Sequence, residues 1–223
     1  MGKENCNCEI SVPLLCTSQC GIPVEFKKEG VPEHVCSICG GARNLVDELE
    51  IKKEPTMSEI IQQQDSRRTF IDILCELAEK DDKIVLITMD TGFNYIEKFQ
   101  NKFPDRFFNF GVTEASSMMV AVGMSQEGFK PYIYSMINFV LFRPAEMVRN
   151  GVVKHNTNIK IIGVKGSEKY KFLGFSHNLL HEKEDTNFCD NIGLSWSIPK
   201  TNEEVRQTIL KAYNEETASY IRL

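Results

Sequence analysis

At 223 residues with 42% hydrophobic content, the chain is long enough for one full domain and a smaller appendage rather than two equal domains. Its 26 basic against 31 acidic residues give a formal charge of −5 without a basic block, which argues against nucleic acid or an anionic membrane as partner and admits a small anionic substrate. No run approaches the length of a membrane span and the start, MGKENC, has no signal-peptide apolar region, so a cytoplasmic protein is expected.

The first element in chain order is a cysteine-rich segment, residues 1–45, which holds six of the eight cysteines before residue 40 and so reads as a local device, not a disulfide framework. Cys16-x3-Cys20-Gly and Cys36-x2-Cys39-Gly are paired turns separated by a short, two-stranded insert, the spacing of a zinc ribbon. The expected ligands are Cys16, Cys20, Cys36 and Cys39, with Cys6, Cys8 or His34 as alternatives for one of them; scattered reduced cysteines are the competing reading. Four thiolates close the tetrahedral shell and quench the Lewis acidity of the metal, so this zinc is expected to be structural. So short a segment has too few apolar residues to fold alone, and structural zinc contributes about 10–16 kcal/mol in finger peptides. Residues 1–45 carry four basic and five acidic side chains, a net of −1, which favours docking to protein over nucleic acid.

Residues 46–64 are charged, polar and broken by Pro55, as in a linker, with room for a short helix. From residue 65 to 223 the hydrophobic period alternates. RRTFIDILCELAEK sets Phe70, Ile73, Leu74, Leu77 and Ala78 on one helix face, with Cys75 on the apolar side, and KIVLITMD ending at Asp90 is a buried strand. The same alternation runs through NYIEKFQNKF, RFFNFGV, a helix opening at Glu114, KPYIYSM, a helix around Met147 and NIKIIGVKG. TNEEVRQTILKAYNEE then opens with a Thr201-x-x-Glu204 capping box, SYIRL ends as a strand, and Cys189 stays unassigned. The fold class is α/β, a mostly parallel sheet flanked by helices. Ligands of such sheets bind beyond the carboxyl ends of strands, which here means the loops after Asp90, Val112, Met136 and Gly166.

In FGVTEASSMMVAVG, Glu114 stands at the mouth of a run of small and apolar residues. A carboxylate in a helix's first turn gains about 0.3–1 kcal/mol from the amide dipole, which alone is an ordinary explanation. Here Gly111 permits close approach, and Ala115, Ser116, Ser117, Ala121 and Gly123 are too small to screen the group. A carboxylate so placed needs a hydrogen-bond donor or its proton affinity rises.

Residues from about 67 to 223 resemble the pyrimidine-binding domain of transketolase-like, thiamine-diphosphate-dependent enzymes, a group that includes deoxyxylulose-phosphate synthase. The resemblance is carried in order by SRRTFIDIL, ITMDTGF, FPDRFFNFGVTEASSMMVAVGMSQEGFKPYIYS, GFSHN and SYIRL. It implies that Glu114 hydrogen-bonds a ring nitrogen of the cofactor's aminopyrimidine, favouring the imino tautomer that takes the thiazolium proton. It likewise implies that Phe139 stacks on the pyrimidine, that Met136 and Phe142 are pocket walls and that Asp90 is a cofactor-side residue. For the substrate it implies Arg67 as a phosphate clamp, Lys165 as a phosphate contact and His177 as the substrate-facing histidine, paired with Glu114 in catalysis. The bland alternatives are ordinary core for Met136, Phe139 and Phe142, an exposed cation for Arg67 and a solvated loop histidine for His177.

Three departures bear on function. Leu173 stands where the family carries a carboxylate toward a sugar hydroxyl, which leaves substrate choice open. There is no Gly-Asp-Gly followed by Asn, the family's diphosphate and Mg2+ signature, and no Asp-Gly pair at all; the chain also stops at SYIRL, where a full-length transketolase continues. The resemblance therefore implies a split enzyme: this chain supplies the pyrimidine half of the site, and a diphosphate-binding transketolase-like subunit holds Mg2+ and the charged tail in a hetero-oligomer. The reaction is then ketol or aldehyde transfer between phosphorylated sugars or related acceptors. The alternatives are a subunit of a deoxyxylulose-phosphate-synthase-like or 2-oxo-acid acyl-transfer enzyme and, from another class, a non-catalytic binding or regulatory subunit.

Overall fold

The structure, a computed structural model, describes Pro13–Leu15, Pro23–Glu25 and residues 57–223 apart from Ser167, with side chains from Ser66 onward except at residues 167–169. The chain divides into two units, Met1–Glu54 and Pro55–Leu223. In the first, β1 (Pro13–Leu15) and β2 (Pro23–Glu25) pair antiparallel, Leu14 opposite Val24. The first of these strands precedes Cys16, whereas the cysteine spacing puts a strand pair between Cys20 and Cys36. All four expected zinc ligands, and the alternatives Cys6, Cys8 and His34, lie outside the described residues.

Runs of residues buried on both sides form the four central strands of the second unit, and two short, more exposed strands form its edges. They are β3 (Ile84–Thr88), β4 (Phe107–Asn109), β5 (Lys130–Met136), β6 (Lys160–Val164), β7 (Ser195–Ser197) and β8 (Ser219–Arg222). They make one sheet in the order β4-β3-β5-β6-β8-β7, and every pairing is parallel. Successive strand side chains point to opposite faces. Tyr132, Tyr134, Ile162, Val164, Ile221 and Leu223 therefore enter one core cluster, while Ile133, Ile161 and Tyr220 enter the other.

Helices α1 (Met57–Ala78) and α6 (Asn202–Asn214) cover the first face with Phe70, Ile73, Leu74, Leu77, Val205 and Ile209. Cys75 joins them, as its helical phase predicts. Helix α2 (Glu97–Lys102) adds Phe99. The opposite face is covered by α3 (Glu114–Gln126), by α5 (Glu184–Ile192) and by a helical stretch, residues 138–153, in which α4 (Ala145–Met147) is flanked by wider turns at Asn138–Phe142 and Val148–Val153. Thr201 accepts the Glu204 amide at 3.1 Å, and the Glu204 carboxylate reaches one residue beyond the reciprocal position of a capping box, to the Lys200 amide at 2.7 Å.

Helix α5 and strand β7 were not foreseen. Cys189 on α5 is fully buried, and burial pushes its thiol up to about 12, so it is core and not a nucleophile. A buried polar network fastens α5 to β8. The Tyr220 hydroxyl donates to Asp185 at 2.7 Å, and Arg222 donates to Asp185 at 3.1 Å and to the Glu182 carbonyl at 2.9 Å and carboxylate at 3.0 Å.

Candidate functional site

The loops at the carboxyl ends of β3, β5 and β6 enclose a cavity of about 320 Å³. Its floor is set by the turn after β3, where Asp90 adopts a left-handed conformation (φ 54°) and its amide donates to the Asn109 side chain at 2.9 Å. The same Asn109 oxygen accepts the Gly111 amide at 3.1 Å, so one side chain at the end of β4 fixes the loops on either side of it. Two glycines are required by close approach. A Cβ at Gly92 would lie 2.7 Å from the Tyr134 ring, and one at Gly166 would lie 2.3 Å from the His177 carbonyl oxygen.

Six of the sequence-predicted residues line this cavity: Arg67, Asp90, Met136, Phe139, Lys165 and His177. Arg67 lies under the Tyr95 ring, 5.5 Å from its centroid, with a buried Nε that has no hydrogen-bond partner among the described residues. A buried donor left over in a cavity wall is suited to an anion. Lys165 is ion-paired to Glu182 at 2.6 Å, which also receives Arg222, so the cavity wall is tied to the α5–β8 network. Phe142 is not in the cavity wall; it packs edge-on against Phe188, centroids 6.0 Å apart.

Glu114 is 7% exposed and does not line the cavity directly. Its carboxylate receives Nη1 of Arg143, whose guanidinium lies over the Phe139 ring with Cζ 3.9 Å from the centroid. The donor that a carboxylate in this position needs is thus Arg143, which the sequence did not single out. Its one signal was to be the only cation between Ile137 and Val148, in a mostly apolar run.

His177 meets the same phenyl ring edge-on, centroids 4.9 Å apart, and stacks against Tyr170 at 6.4 Å. The Ser176 hydroxyl donates its single proton to the Leu173 carbonyl at 2.9 Å and so accepts from Nδ1–H of His177 at 2.7 Å. That leaves the lone pair of the neutral imidazole on Nε2. Burial first, then the positive charge of Arg143, holds His177 below its ordinary value of 6.5. A histidine titration followed by NMR is therefore expected to give a midpoint under 6.5 for His177, moving upward in Arg143→Met. The unfolded chain takes up this proton before the folded one, so the histidine's contribution to stability declines as pH falls through the unfolded value.

An aromatic plate beside a buried carboxylate suits a flat heterocycle bearing an N–H, and the adjoining cations suit an acidic substrate. The pyrimidine side of thiamine diphosphate calls for an aromatic ring and a carboxylate close together, and Arg143 contacts both Phe139 and Glu114 at once. Among the described residues no three His, Cys, Asp or Glu side chains cluster to hold a metal ion. No described helix is long and apolar enough to cross a membrane.

Fold and cavity together define an α/β domain with a cavity at the carboxyl ends of parallel strands. Residues 62–223 match the family described as transketolase, pyrimidine binding domain, and the chain belongs to that family of thiamine-diphosphate-dependent transferases. It is 32% identical over 117 residues, 52% of this chain and 38% of the relative, to an apulose-4-phosphate transketolase subunit of Phocaeicola vulgatus. It is 28% identical over 159 residues, 70% of this chain and 48% of the relative, to 6-deoxy-6-sulfo-D-fructose transketolase subunit SqwH of Clostridium sp. (strain MSTE9). A solved structure described as a split gene transketolase, inactive beta4 tetramer, superposes with a TM-score of 0.62 at 29% identity, covering 71% of this chain and 50% of its own. The matches thus span at most about half the length of these relatives.

Proposed function

We propose that this chain is the pyrimidine-binding subunit of a split transketolase-like enzyme that transfers a ketol or aldehyde unit between phosphorylated sugars or related acceptors. The observation that carries the reading is the joint engagement of Glu114 and Phe139 by one flat cation, beside a cavity lined by Arg67, Lys165 and His177. Relatives named as subunits of transketolases support the split arrangement. Bound thiamine diphosphate supplies the nucleophilic carbon on which such a unit is carried. Glu114 holds a proton at a pyrimidine ring nitrogen, Phe139 stacks on the ring, and Asp90 and Met136 shape the cofactor side. Arg67 and Lys165 bind the substrate's anionic end, and Nε2 of His177 takes or returns a proton at a substrate hydroxyl. The diphosphate and Mg2+ fall to a second, diphosphate-binding subunit carrying the Gly-Asp-Gly signature, and the assembly is a cytoplasmic hetero-oligomer.

The N-terminal ribbon is assigned a structural Zn2+ on Cys16, Cys20, Cys36 and Cys39 and a role in holding the assembly together. About one equivalent of zinc per chain is expected by elemental analysis. Chelation should then weaken association with the partner subunit while the far-UV signal of residues 65–223 persists.

The test of the functional reading is reconstitution. This chain mixed with the candidate diphosphate-binding subunit should show thiamine-dependent ketol transfer that neither shows alone. If that candidate turns over fully by itself and this chain changes nothing, the chain is a non-catalytic subunit and the proposal fails.

A further inference from the structure

Arg143 makes two contacts at once: its guanidinium lies with Cζ 3.9 Å from the Phe139 centroid, and its Nη1 donates to Oε1 of Glu114. A stacked aminopyrimidine sharing a proton with Glu114 would need the same ring and the same carboxylate. Resting on the reading of Glu114 and Phe139 as the pyrimidine contacts, we infer that Arg143 is an internal stand-in for the cofactor's pyrimidine, positioning the carboxylate and the ring in the cofactor-free chain and yielding its place when the pyrimidine binds.

Burial makes such a stand-in useful. The Glu114 side chain is only 9% exposed, and a carboxylate so enclosed with no donor is strongly disfavoured. The guanidinium matches what it replaces in planarity, delocalised charge and N–H donors, properties an ammonium group lacks. Its side chain is 41% exposed, so the guanidinium can swing into water on its flexible stem without opening the core. A site competent only when the arginine has left binds more weakly by the fraction of molecules that are open. If about nine in ten are closed, removing the side chain strengthens binding about tenfold, equivalent to about 1.4 kcal/mol.

The test uses the full chain and 4-amino-5-hydroxymethyl-2-methylpyrimidine, which carries the pyrimidine without diphosphate and so requires neither Mg2+ nor a partner. Binding is followed by NMR titration for the wild type, Arg143→Ala, Arg143→Met and the double variant Arg143→Ala/Glu114→Gln, with a thermal melt of each to establish folding. Arg143→Met keeps much of the stem packing should the alanine variant fold poorly. Both single variants are expected to bind about tenfold more tightly than the wild type, with the gain lost in the double variant. Binding no tighter in the single variants, but weakened by Glu114→Gln, would leave the pyrimidine reading standing and remove the stand-in. Tightening that survives Glu114→Gln would put the pyrimidine elsewhere and overturn the inference. No binding by the wild type or by either folded variant would sink the half-site reading itself, and the inference with it.

Discussion

Glu114→Gln is expected to lower turnover of the reconstituted enzyme by about 10²–10⁴-fold, the usual contribution of one positioned proton-transfer group, while the chain remains folded. Glutamine preserves the size of the side chain and an oxygen that can accept from Arg143, so the contact over Phe139 has a continuing partner. What it lacks is the ability to share a proton with a ring nitrogen. The folding consequence is small: a carboxylate in the first turn of α3 gains about 0.3–1 kcal/mol from the helix amides, and its ion partner is 41% exposed, so solvent screens much of the pairing. Initial rates at saturating thiamine diphosphate, set beside melting curves, separate these effects. Full turnover in a folded Glu114→Gln enzyme would remove the acid from the chemistry and with it the functional reading.

The central strands were legible because burial on both faces of a parallel sheet needs continuous apolar runs, and the runs ending at Asp90 and Met136 are of that kind. Helix α5 was not. Only Phe188, Cys189 and Ile192 in EDTNFCDNI are apolar, and two of its buried residues, Asp185 and Thr186, are polar; the partners of Asp185 on β8 are distant in sequence. Strand β7 has three residues, two of them exposed, so nothing distinguishes it from a loop. In the site, the importance of Glu114 could be argued locally, from the small residues after it and the glycine before it. Arg143 could not, since its meaning comes from a contact across 29 residues that exists only once α3 and the helical stretch after β5 pack together. Asn109 was hidden for a similar reason: its role is to bind the amides of Asp90 and Gly111, which the sequence alone does not bring into register.

The largest loss of stability is expected from Asp185→Ala, about 3–5 kcal/mol, the range for breaking one side of a buried ion pair. Asp185 is fully buried and Arg222 is 5% exposed, so removing the carboxylate leaves a buried guanidinium and the Tyr220 hydroxyl without their acceptor. Burial, and after it the charge of Asp185, holds the Tyr220 phenol far above its ordinary value, so it remains a donor that requires an acceptor. Arg222 keeps its bonds to the Glu182 carbonyl and carboxylate, which places the expected loss toward the lower end of the range. Urea unfolding followed by circular dichroism measures the change, and a loss under about 1 kcal/mol would mean that relaxation or water satisfies the orphaned groups. Replacing the pair together, as Asp185→Leu with Arg222→Met, and with Tyr220→Phe to remove the donor that would lose its acceptor, should recover much of the stability, because well-packed apolar residues often match a buried pair. That combined variant has a further consequence at the cavity. Glu182 now bridges Arg222 and Lys165, and without Arg222 it is held from the Lys165 side. With Lys165 in its proposed role as an anion contact, substrate affinity should therefore change more than turnover, since no proton-transfer group is disturbed.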